Sequence, residues 1–86
     1  MSPIIPFWFK QRQCKAEATG VENMLKLSGP LLPDAWIYIR PEGDHWIAGL
    51  RLSPDGPDVS VANGESRSEK QAWEAAFELY REQVIV

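Results

Sequence analysis

Between Trp36 and Ala62 the chain alternates short aromatic and β-branched runs with breaks rich in Pro, Gly and Asp, and one apolar stripe of helical period follows. No other feature constrains the fold as strongly. A run of four to eight such residues closed by turn chemistry is a strand, whereas apolar residues recurring at i, i+3 and i+4 make a helix. The first run is Trp36-Ile37-Tyr38-Ile39-Arg40, followed by a Pro41-Glu42-Gly43-Asp44 turn. The second is His45 to Ser53, closed by Pro54-Asp55-Gly56-Pro57. The third is Asp58-Val59-Ser60-Val61-Ala62, ending at Asn63-Gly64. Connections this short join antiparallel neighbours, so the reading is a meander.

Downstream, Ala72, Trp73, Ala76, Phe77, Tyr80 and Val84 share one side of a helix expected from about Ser68 to Gln83. Ser66 with Glu69, or Ser68 with Gln71, supplies its capping box. Lys70, Glu74, Glu78 and Glu82 run down the opposite, solvated side. The fold class is therefore α+β: an antiparallel β-meander of three or four strands packed on one face by a C-terminal α-helix, in β-β-β-α order.

The 86 residues make one domain. Residues 1–13 read as an extended apolar and basic arm, because Pro3 and Pro6 disfavour a helix start, and residues 14–86 as the domain itself. Residues 14–29 read two ways. Thr19-Gly20-Val21-Glu22 fits a capping box, but Met24-Leu25-Lys26-Leu27-Ser28 fits a strand, and a fourth strand is the reading preferred here.

A four-residue loop at Pro41–Asp44 would pair Arg40 with His45 and Ile39 with Trp46. Alternation then sorts the side chains. Ile37, Ile39, Trp46, Ala48, Leu50, Leu52, Val59 and Val61 would face the helix, with Trp46, Leu50, Val59, Trp73, Phe77 and Tyr80 at the centre of the core. The other face would carry Trp36, Tyr38, Arg40, His45, Ile47 and Arg51, with Trp36 lying across Gly49. Aromatic anchors rimmed by arginines are the composition of protein-binding hot spots and of base-stacking platforms. The Phe7-Trp8-Phe9 cluster either folds back on the body or docks on a partner, with Phe7 and Trp8 as further binding candidates, and the N-terminal arm or the 14–29 segment could itself cover this face as a second small core.

Composition narrows the chemistry. The single His45 and single Cys14 lie at no spacing typical of a metal site, so neither metal nor cofactor is expected. Gly43, Gly49, Gly56 and Gly64 are isolated, so no phosphate loop is present. With no convergent polar cluster the chain does not read as an enzyme. One cysteine permits no internal disulfide, which suits a reducing, cytoplasmic setting. No apolar stretch approaches the length of a membrane span. The net charge is −3, unevenly spread: residues 1–40 hold five basic and three acidic residues, residues 41–86 four and nine.

The strand-then-helix order is similar in layout to the double-stranded RNA-binding domain. That family opens its last helix on several lysines, where Ser68-Glu69-Lys70-Gln71-Ala72 has one lysine and a glutamate, so no residue carries over. The Ser-x-x-x-Ala-Trp-x-Ala-Ala pattern beginning at Ser68 resembles small bacterial and phage accessory proteins in general. The functional expectation is a small non-catalytic interaction or accessory protein that binds a protein partner or itself as a homodimer. The alternative is a nucleic-acid-binding module using the sheet face and the basic residues Lys10, Arg12 and Lys15 of the N-terminal segment, which the negative net charge disfavours.

Overall fold

The computed structural model describes residues 5–85, with residues 63–65 described by backbone alone. Residues 1–4 of the expected arm, and Val86, lie outside the described residues. The element order is α1 (Phe7–Gln11), β1 (Lys15–Ala18), β2 (Met24–Ser28), β3 (Ala35–Glu42), β4 (His45–Arg51), β5 (Asp58–Ser66) and α2 (Glu69–Tyr80), continued by a π-helical turn over Arg81–Ile85. The five strands form one antiparallel sheet whose spatial order is their chain order. The fold is α+β, with strands first and the packing helix last.

The sheet gains its extra strands from residues 14–29, where the capping-box reading fails. Thr19 Oγ1 accepts from the Val21 amide at 3.1 Å and donates to the Met24 carbonyl at 3.3 Å, so Thr19 staples a turn between β1 and β2 instead of starting a helix. Gly20 at φ +86° and Asn23 at φ +60° supply the left-handed backbone that this turn needs.

The β3–β4 hairpin is tighter than expected. Pro41 and Glu42 belong to β3, and only Gly43 and Asp44 form the turn, with Gly43 at φ +63°. Glu42 pairs with His45 and Tyr38 with Gly49, a slip of two residues from the expected register. A slip of two leaves every side chain on its assigned face. It does change which residue lies over Gly49: Tyr38 does so, not Trp36. A β-carbon at Gly49 would run into the Tyr38 ring.

The expected placing of Val59 and Val61 is overturned, and so is that of Leu52. All three are about half exposed. Val61 pairs with Gly49 and Ser60 with Leu50, so Ser60 and Ala62 are the β5 residues that look toward the helix. Small residues there, with Ala48, Ala72 and Ala76, let α2 lie close against β3, β4 and β5. Two register shifts interrupt the β4–β5 ladder. The one between Leu50 and Arg51 admits an extra β5 residue at Val59, and this bulge turns the side chain of Asp58 onto the face away from α2. Strand β5 also runs on past Asn63-Gly64 to Ser66.

The core lies between the sheet and α2. Leu27, Ile37, Leu50, Phe77 and Tyr80 are fully buried in it, and Trp46 packs at its margin. Ser68 is the helix N-cap, accepting from the Gln71 amide at 3.2 Å, while Gln71 Oε1 accepts from the Arg67 amide at 2.7 Å. The N-terminal segment is not extended over residues 7–11. Pro6 stands at the N-cap of a short helix that buries Phe9 edge-on against Phe77, with ring centroids 5.2 Å apart. Pro at a helix start forfeits only an amide that has no intrahelical partner anyway, so Pro6 begins this helix instead of preventing it.

Candidate functional site

With α1 and α2 on one side of the sheet and residues 15–28 extending it, no described residue forms a layer over the opposite face. That face is ordered in rows across the strands. One row runs Glu17, Lys26, Trp36, Arg51, Asp58; the next runs Met24, Tyr38, Gly49, Val61; beyond it come Arg40 with Ile47, then Glu42 with His45.

The six sheet residues singled out from the sequence, Trp36, Tyr38, Arg40, His45, Ile47 and Arg51, do share this face. Phe7 and Trp8 do not. They sit on α1, on the α2 side, with Phe7 exposed and Trp8 edge-on to Phe9. Tyr38 and Ile47 are buried although neither belongs to the main core cluster.

Tyr38 is the fixed point of the face. Its ring crosses β4 above Gly49, and its hydroxyl donates to Asp58 Oδ2 at 2.8 Å. Asp58 Oδ1 accepts from Arg51 Nε at 2.9 Å, and the Arg51 guanidinium lies 4.8 Å from the Tyr38 ring centroid. The three groups hold one another. Burial, then the bond to Asp58, pushes the Tyr38 hydroxyl above its ordinary pKa. The bond to Asp58 keeps Arg51 protonated. Burial works to raise the Asp58 pKa, but the bonds from Arg51 and Tyr38 outweigh it and hold the carboxyl below its ordinary range. Asp58, expected from sequence only as the first residue of the third run, is thus a structural member of the face. Only the bulge at Val59 puts it there, and no periodicity announces a bulge.

The other basic side chains of the face also have partners. Lys26 Nζ lies 3.6 Å from Asp34 Oδ2 and 5.8 Å from the Trp36 ring. Arg40 Nη1 donates to Glu42 Oε2 at 2.7 Å. His45 Nδ1 is 3.3 Å from Asp44 Oδ1, which adjacency on one strand would forbid; Asp44 is a turn residue and bends back to it. Among the described residues no group of three or more His, Cys, Asp or Glu side chains is placed to hold a metal ion. No helix is long and apolar enough to cross a membrane.

The sheet edges differ from the face. Strand β1 carries Lys15 and Glu17, and β5 is broken by its two register shifts. Charges and bulges both discourage pairing with a foreign strand. On the uncovered face Met24 and Val61 flank Tyr38 and Gly49, and Trp36 lies between the paired charges of Lys26 and Arg51.

No family model, curated protein or solved structure matches the chain.

Proposed function

We propose that the protein is a small non-catalytic interaction module that self-associates through the sheet face opposite α2. The observation that supports this reading is an uncovered face on which Met24, Trp36, Val59 and Val61 stay wholly or partly exposed between guarded edges. A second copy is the occupant favoured by charge: the cations of this face already have carboxylate partners within the chain, so an apolar, self-complementary surface is what remains to be covered. The same pairing weighs against the nucleic-acid reading, because Asp34, Glu42 and Asp58 beside Lys26, Arg40 and Arg51 repel a chain of phosphates, and the buried Tyr38 ring is not free to stack on a base.

Light scattering after size exclusion tests the reading. The wild type is expected at twice the chain mass and Val61→Glu at the chain mass, with the variant's circular dichroism unchanged. A monomeric wild type, or a dimer indifferent to Val61→Glu, overturns it.

A further inference from the structure

At one corner of the uncovered face lies a cavity of about 500 Å³. The sheet contributes Met24, Lys26, Trp36 and Arg51; the β1–β2 turn contributes Thr19 and Val21, and the β4–β5 turn Pro54 and Asp55. This is the size of a small-molecule site, and its lining is about evenly polar and apolar. Both its cations are held in place without being used up. Arg51 is fixed by Asp58 through Nε and by the Tyr38 ring, and no other carboxylate among the described residues engages its guanidinium. Lys26 is held by Asp34 at 3.6 Å, longer than a close charge-assisted hydrogen bond, so its ammonium protons remain available. Trp36 stands between the two in the same row and offers an aromatic surface.

We propose that this cavity binds a small planar aromatic carboxylate, with the ring against Trp36 and the carboxylate shared by Lys26 and Arg51. One negative charge fits better than several, because Asp55 also lines the cavity while Asp34 and Asp58 flank its cations. The site goes beyond self-association and does not need it, but Met24 and Trp36 belong to both surfaces, so a second copy and a small ligand would compete for them.

The probe is 2-naphthoate, titrated into the Val61→Glu chain so that the state of association does not enter. The readout is the Trp36 indole N–H resonance, assigned by its loss in Trp36→Phe. A saturable shift in the micromolar to millimolar range is expected. Uncharged 2-naphthalenemethanol and inorganic phosphate are each expected to bind about tenfold more weakly or worse, since each lacks either the charge or the ring. Lys26→Gln is expected to weaken 2-naphthoate by about the same factor. It serves as the main variant because Arg51→Gln also releases Tyr38 and Asp58. Equal affinity for the charged and uncharged naphthalenes, an unmoved Trp36 resonance, or indifference to Lys26→Gln overturns the proposal.

Discussion

The Tyr38 hydroxyl donates to Asp58 across an intervening strand, 2.8 Å from a carboxylate two strands away. The reach depends on Gly49, whose missing side chain leaves the path over β4 open. One glycine, one bulge and one aromatic ring thus lock three strands on the face that α2 does not cover. Gly49→Ala is expected to destabilise the fold by about 1–3 kcal/mol, since the ring must leave its place. Chemical denaturation measures this, and an unchanged midpoint would show that the crossing is not tightly packed.

Asp58 makes this lock dependent on pH. Its pKa is below its unfolded value, so its stabilisation is full above the ordinary carboxylate value of 3.8 and is lost as pH falls through the lower, folded value. Asp58→Asn is expected to be less stable than wild type by about 1 kcal/mol near pH 7, a figure discounted for partial solvent exposure. The gap is expected to close on acidification. Thermal melts of both proteins from pH 7 to pH 2 provide the check; a gap that stays constant would mean that the charge of Asp58 is immaterial.

Tyr80 carries the opposite sign. Its ring is fully buried, and its hydroxyl is buried without a hydrogen-bond partner among the described residues. Burial, with Cys14 beside it, pushes its pKa up to about 12 from an ordinary 10.0. A raised pKa means stability that is present below pH 10.0 and lost as pH climbs toward about 12. Tyr80→Phe removes the orphaned hydroxyl and is expected to stabilise the protein by about 1 kcal/mol at neutral pH, visible as a rise of several degrees in Tm. Its advantage is expected to widen above pH 10. A lower Tm for the variant would reveal a partner for that hydroxyl.

Phe9 is the buried residue of helix α1, and Trp8 packs partly buried against the same core. Phe9 contacts both Phe77 and Tyr80 and is fully buried, whereas its neighbour Phe7 is about three-quarters exposed. Phe9→Ala is expected to cost about 3–5 kcal/mol and Phe7→Ala less than about 0.5. Equal losses would mean that α1 is not docked by Phe9.

Leu31 combines full exposure with a left-handed backbone, φ +60°, that a branched side chain resists. Leu31→Gly is expected to raise stability by about 1 kcal/mol, and Leu31→Ala, which keeps the β-carbon, to change little. Denaturation midpoints separate the two.

Much of this was legible in the sequence because alternation is forgiving. The β3–β4 register slips by two residues from the expected one, yet Trp36, Tyr38, Arg40 and Ile47 still share a face, since only an odd slip inverts a strand. Strand β5 shows the limit of the same rule. Its Val-Ser-Val alternation reads as valines inward, but the pairing with β4 and the space needed by α2 send Ser60 and Ala62 inward instead. Helix α1 was hidden for a different reason: five residues hold too little periodicity to read, and tertiary packing of Phe9 sustains them.

The strand order has a consequence for how the chain assembles. Every strand pairs with its chain neighbour, so the sheet closes through short loops alone. The contact of Phe9 with Phe77 and Tyr80 joins residues 68 and 71 positions apart in the sequence. During synthesis Phe9 emerges before the surface that it packs against. It therefore waits in solvent until α2 is complete.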